Sequence, residues 1–258
     1  MCLLAFAYET VPDYPLVFAG NRDEFYERPT ASADYWEDAP HVLAGRDRKA
    51  GGTWMGVTRN GHWGVVTNIR APGGYEPDAP SRGALVADYL RDEPAPDAYL
   101  RSVAAEIDRY NGFNLLLGTP HSLYYLSTRA PSVQPVDPGI HGLSNDQLDT
   151  PWPKVERATR GLRSRIEGGA PSPDALLDLL DDRRPAPADE LPDTGVGPER
   201  ERLLSPIFIE SERYGTRAST VLLIGRDGTI TFVERAFDRG APTETRRFSF
   251  EVPVGSGV

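Results

Sequence analysis

Residues 2–24 read CLLAFAYETVPDYPLVFAGNRDE: two apolar runs, 2–8 and 16–21, are split by VPDYP, and the second ends in a charged tetrad. Pro12, Asp13 and Pro15 mark a turn. The runs are therefore expected as two adjacent buried strands. If the second runs back beside the first, its end carries Arg22 and Asp23 to the start of the first, where Cys2 lies.

Working outward, residues 53–59 and 62–68 flank Asn60-Gly61, a strong short hairpin signal, with Trp54, Trp63, Val65 and Val66 as sheet-forming side chains. Ser81–Asp108 reads as helix with a break at Pro94–Pro96. Leu85 and Tyr89 lie four apart, as do Tyr99, Val103 and Ile107. Strands are expected at 113–118 and 122–128. A helix follows at about 153–167, with Val155, Ala158, Leu162 and Ile166 in register, and another after Ser172-Pro173-Asp174. Residues 181–202, rich in Pro, Asp, Arg and Glu, read as a solvated loop. Strands at 217–224, 229–237 and 246–253 close the chain, Asp227-Gly228 turning the first pair. Strands at both ends with helices between them give a layered α+β class, read as a single domain over 1–258.

The chain has 258 residues and a net charge of −10. No basic block is present to neutralise phosphates, which argues against nucleic-acid binding. One cysteine excludes an intramolecular disulfide and fits a reducing compartment. No run approaches a membrane span, and the apolar start lacks the basic region of a signal peptide, so a cytoplasmic location is expected. His41, His62, His121 and His141 show no metal-ligand spacing, and no metal is expected. Gly51-Gly52 is too short for a phosphate loop, and Ser81 reads first as a helix N-cap.

Several residues can carry chemistry. A small residue after Met1 favours removal of that Met, which would place the α-amine of Cys2 beside its own thiol. The amine titrates at roughly 7.7–8.0 and the thiol at roughly 8.5, so the amine suits a general base at neutral pH. Free cysteines are also commonly buried core residues. Asn21-Arg22-Asp23-Glu24 is either a solvated strand end or a set in which a carboxylate orients the amine and a guanidinium favours the thiolate. Asn68 and Asn145 are either turn formers or oxyanion donors, and Arg217 is either an ion-pair partner or an anion-facing residue.

Taken in order, Cys2, NRDE at 21–24, GGTW at 51–54, TNIR at 67–70, SRG at 81–83, HGLSN at 141–145 and YGTRAST at 214–220 resemble the NRDE-motif family, that of transport and Golgi organisation protein 2. That family resembles the N-terminal-nucleophile hydrolases. The resemblance implies a four-layer αββα sandwich with two antiparallel sheets inside. It also implies a hydrolase of linear, non-peptide amide bonds with a small-molecule amide or lipid-like ligand and no cofactor. By the same resemblance Cys2 is the nucleophile, Asp23, Asn68, Asn145 and Arg217 complete the catalytic set, and Asn21, Arg22, Glu24 and Trp54 support it. The related bile-salt and penicillin acylases carry an arginine where Gly20 stands; here the arginine is at 22. Strand alternation would then turn Arg22 away from the face of Asn21 and Asp23. The alternative the family implies is a non-enzymatic carrier of haem or of acyl-CoA and other lipids.

Overall fold

The computed structural model describes residues 2–70, 73, 75–167, 169 and 171–252. The expected first pair forms as an antiparallel hairpin of β1 (Cys2–Val11) and β2 (Tyr14–Phe25), with Cys2 opposite Arg22 and Leu4 opposite Gly20. A six-stranded sheet grows from it in the order β10-β1-β2-β11-β12-β13, with β10 Gly139–Leu143, β11 Tyr214–Ile224, β12 Thr229–Asp238 and β13 Ala241–Glu251. A second sheet runs β3-β4-β5-β6-β7-β8-β9 in chain order, every pair antiparallel. Its strands are β3 (Thr30–Trp36), β4 (Ala39–Asp47), β5 (Met55–Thr58), β6 (Trp63–Asn68), β7 (Phe113–Thr119), β8 (Ser122–Ser127) and β9 (Ala130–Pro135).

Three apolar cores order the layers. Leu4, Phe6, Phe18, Leu222 and Phe232 of the first sheet meet Met55, Val57, Trp63, Val65 and Leu116 of the second. The opposite faces carry the alternate residues. Leu3, Ala5, Val17, Ala19 and Val221 pack beneath α3 (Pro153–Ile166) and α4 (Pro173–Leu180). Val42, Val66, Leu115 and Leu117 pack beneath α1 (Arg82–Asp92) and α2 (Pro96–Ala105). The strict period of two between inner and outer sets is the pleat of a strand buried on both faces. The architecture is thus an αββα sandwich of the α+β class.

Local chemistry explains the joints. Gly61 takes φ +82 in the Asn60-Gly61 turn, and Gly228 takes φ +85 after Asp227. Ser172 accepts a hydrogen bond from the Ala175 N–H and caps α4. Ser81 makes no such side-chain bond at α1. The stretch 181–202 is not wholly loop: a 3-10 turn at Ala188–Glu190 and α5 (Pro198–Leu203) interrupt it. The expected strand end at 253 and the fate of Met1 fall outside the described residues.

Candidate functional site

Cys2 stands at the first position of β1, opposite Arg22, and is 7% exposed. Its side chain belongs to the inter-sheet core and reaches a cavity of about 540 Å³ between the sheets. Arg22, Asp23, Trp54, Asn68, Arg82 and Arg217 are among its walls. Burial pushes the Cys2 thiol up, while Arg22 and a hydrogen bond from the Asp23 backbone N–H oppose that rise. The thiol is thus stored neutral and needs a base.

The tetrad at 21–24 divides between two faces, and the division differs from the expectation. Partners directly across an antiparallel ladder share a face, so Arg22 points with Cys2 into the inter-sheet space. Arg22 is buried, its Nη1 finds no hydrogen-bond partner among the described residues, and its nearest carboxylate is Glu24 at 3.9 Å. Alternation does separate Arg22 from Asn21, but it is Asn21 that turns away. The Asn21 Nδ2 donates to the carbonyls of Leu180 and Ile207, both at 2.9 Å, and its Oδ1 accepts from Ser219 Oγ at 2.6 Å. Asn21 ties the outer layer to the sheet and is not among the residues that line the cavity, so any support it gives the site passes through the fold. An arginine at position 20 has no room: a Cβ there would meet Leu4 Cδ2 at 2.9 Å and the Leu3 carbonyl oxygen at 3.1 Å. Positions 20 and 22 share a face, so moving the arginine two residues along keeps its side.

Asp23 sits at the boundary of the two faces. Its carboxylate accepts from Thr216 Oγ1 at 2.8 Å, and burial raises it while Lys154 and Arg22 pull it back down. Glu24 lies half-buried between Arg22 and Arg28, with Arg28 Nε at 3.8 Å. The ladder between β2 and β11 slips between Thr216 and Ala218, which leaves Arg217 as the extra residue of a bulge. The bulge aims Arg217 along the cavity wall, where its Nη1 donates to the carbonyls of Tyr26 at 2.9 Å and Phe25 at 3.1 Å.

The two asparagines occupy different ranks. Asn68, at the end of β6, lines the cavity. Asn145 is fully buried behind it and donates from Nδ2 to the Asn68 carbonyl at 2.8 Å. Ser144 Oγ donates to the Cys2 carbonyl at 3.0 Å, so the HGLSN segment clamps both the start of β1 and the end of β6. The geometry therefore gives Asn145 a hold on Asn68 in place of a direct view of the cavity.

Sequence reasoning did not single out Arg82, Glu234 or Lys154. Arg82 opens α1 and donates from Nη1 to the Gly112 carbonyl at 3.0 Å. The two-glycine and SRG motifs place it: a Cβ on Gly52 would stand 2.5 Å from the Gly83 carbonyl, so the two backbones pass at a distance only glycine permits. Thr53 N–H donates to the Gly83 carbonyl across that crossing. Glu234 accepts from the Ala33 N–H at 2.6 Å, joining the two sheets, and burial pushes its carboxyl up to about 7. Lys154, buried at the start of α3, has an Nζ with no hydrogen-bond partner among the described residues and is pushed down to about 8 by burial.

No histidine lines the cavity. His141 pairs with Asp149 at 2.7 Å, His62 stands 3.7 Å from Glu93, His41 meets the Arg91 carbonyl at 3.1 Å, and His121 is exposed. A haem placed here would find Cys2 as its one soft ligand, and the residues do not fit a histidine-ligated haem. Among the described residues no group of three metal-ligating side chains converges, and no helix is long and apolar enough to cross a membrane.

Comparison with known proteins adds the following. Residues 1–239 match the family described as Transport and Golgi organisation 2. A mouse Transport and Golgi organization 2 homolog is 35% identical over 92% of this chain and 93% of its own length. A human homolog is 32% identical over 97% of this chain and 99% of its own. Among solved structures, a conjugated bile acid hydrolase from Clostridium perfringens, its C2A mutant, aligns over 97% of both chains at 9% identity and a TM-score of 0.47. A Caenorhabditis elegans N-acylethanolamine-hydrolyzing acid amidase ortholog covers 86% of this chain and 92% of its own at 13% identity and a TM-score of 0.42.

Proposed function

The chain belongs to the Transport and Golgi organisation 2 family, and from the cavity that opens on its one cysteine we propose an N-terminal cysteine amidohydrolase of linear, non-peptide amide bonds in a small-molecule substrate. The observation that carries this reading is the placement of Cys2 at a strand start, in a cavity wall, between the Arg22 guanidinium and the Asp23 N–H. In the proposed cycle Met1 is removed and the α-amine of Cys2 takes the thiol proton. Sγ then attacks the acyl carbon, and the tetrahedral oxyanion is met by the Asn68 amide, which Asn145 holds in place. As the C–N bond breaks, the α-ammonium returns the proton to the leaving nitrogen. Water, deprotonated by the same amine, then cleaves the thioester and restores the thiol. Asp23 orients the amine, and Arg22 offsets the burial of the thiolate.

The test begins with the intact mass of the purified protein, which is expected to lack Met1. A panel of N-acyl amides is then assayed with the parent and with Cys2→Ser. Turnover in the parent that collapses in a folded Cys2→Ser protein supports the reading. Retained Met1, or equal turnover in the two proteins, sinks it and leaves ligand binding and trafficking as the function to pursue.

A further inference from the structure

The protein as a whole is acidic, at −10, yet on the wall of the cavity that Cys2 reaches, Arg22, Arg28, Arg46, Lys49, Arg82 and Arg217 outnumber the carboxylates of Asp23, Asp47, Glu234 and Asp238. Of the arginines lining the cavity, Arg28 is held by Asp47 at 2.5 Å and Arg46 by Asp38 at 2.6 Å. Arg22, Arg82 and Arg217 have no carboxylate within ion-pair reach among the described residues other than Glu24, 3.9 Å from Arg22. Arg22 is 8% exposed and its Nη1 is without a hydrogen-bond partner there; Arg217 Nε is likewise unpartnered. Arg82 lies close enough to the thiol that a Cys2 thiolate is among the charges it feels. The acids that share the cavity have other partners or stand at its rim, though Asp23 and Glu234 both feel Arg22. Asp23 is engaged by Thr216, Glu234 is bound to the Ala33 N–H, and Asp238 stands exposed at the rim, as Lys49 does. The N-terminus of α1 also opens on the cavity with no side-chain cap and no acidic residue in its first turn.

A buried guanidinium with a free edge is costly unless an anion completes it. We propose that the cavity wall around Cys2 is an anion cradle in which Arg22, Arg82 and Arg217 hold a carboxylate or phosphate that the ligand carries next to the group meeting the thiol. As a statement about substrates it rests on the amidohydrolase reading and names amides with an acidic group a few bonds from the scissile carbonyl.

Cys2 is the only cysteine, so alkylation reports on this site alone. The thiolate displaces iodide from iodoacetate or iodoacetamide to form a thioether, and the two reagents differ in whether they carry a carboxylate. The ratio of the iodoacetate rate to the iodoacetamide rate is measured in the full-length protein and in N-acetylcysteine amide. The cradle is expected to raise the ratio at least about tenfold above the free thiol, since a single charge pair in a partly buried site exceeds that factor. Arg82→Gln, which loses the hydrogen bond to the Gly112 carbonyl, and Arg22→Gln are each expected to lower it at least threefold. Inorganic phosphate or acetate, balanced with chloride for ionic strength, is expected to protect Cys2 from iodoacetamide; which of them protects identifies the acidic group. A ratio no higher than that of the free thiol, a ratio unmoved by Arg82→Gln, or protection by neither anion overturns the cradle. The assay needs no turnover. A raised ratio in a protein inactive on every amide refutes the hydrolase reading and keeps the cradle, whereas an ordinary ratio in an active amidase does the reverse.

Discussion

Replacing Asn21 by alanine separates a structural post from a ligand-facing residue within one four-residue motif. Its Nδ2 serves two carbonyls at 2.9 Å and its Oδ1 serves the Ser219 hydroxyl at 2.6 Å, all buried. Alanine would leave the Leu180 and Ile207 carbonyls and the hydroxyl without these partners. A buried unsatisfied group costs ~1–3 kcal/mol, and the Ser219 hydroxyl can rotate, so the expected loss is about 3–5 kcal/mol. That is a large share of the ~5–15 kcal/mol by which folded proteins are stable. Asn21→Asp should be at least as damaging, because it keeps the acceptor for Ser219 but turns a carboxylate toward two carbonyl oxygens. Urea unfolding followed by tryptophan fluorescence reads the loss, since Trp54 and Trp63 lie in the inter-sheet core. Iodoacetamide labelling of the folded protein reads the site, and it should be unchanged. A loss below about 1 kcal/mol would refute the hydrogen-bond accounting. Intact stability with altered labelling would place Asn21 at the ligand after all.

Gly52→Ala should cost about 3 kcal/mol, at the upper end for overpacking, because its Cβ would stand 2.5 Å from backbone atoms of Gly83; thermal unfolding checks this. It should also slow labelling of Cys2 by iodoacetate more than by iodoacetamide, since Arg82 immediately precedes Gly83. Glu201→Gln removes the charge facing Arg70 in a pair whose side chains are 5% and 3% exposed, and a loss of about 3–5 kcal/mol in urea is expected. His141 is held above its ordinary value by the hydrogen bond to Asp149. A raised folded value means its stabilising contribution is complete below the unfolded value and fades as pH rises through the folded one. Stability should therefore fall on going from mildly acid to mildly alkaline pH, and His141→Asn should flatten that part of the profile. A profile identical in the two proteins would remove the ion pair from the account.

Much of the fold is legible in local pattern. The runs at 2–8 and 16–21 became β1 and β2, the Asn60-Gly61 turn became the β5–β6 hairpin, and Ser172-Pro173 opened α4. Four strands left no comparable signal. β3 and β9 lie at the edges of the second sheet, and β9 carries prolines at 131 and 135, which an edge tolerates. β10 is a five-residue edge strand with two glycines, and β4, TASADYW's partner across a tight turn, is exposed or half-buried at Pro40, His41, Arg46 and Asp47. Edge and short strands bury too little to require a continuous apolar run.

The site shows the same limit in sharper form. Sequence alone determined that Cys2, Arg22 and Asp23 would meet, because a turn at Pro12–Asp13 folds one strand end back upon the other. It also determined that Asn21 and Arg22 would face opposite ways, because a strand alternates. Which of them faces the cavity was decided only by tertiary packing. β2 is apolar on both sides, since helices cover one face and a second sheet the other, so its sequence carries no alternation to tell the faces apart. The same holds for Arg82, brought to the cavity by a glycine crossing between segments some thirty residues apart, and for Arg217, aimed by a bulge. Those contacts are long-range, and a one-dimensional pattern holds the parity of a strand but not the identity of what packs against each side.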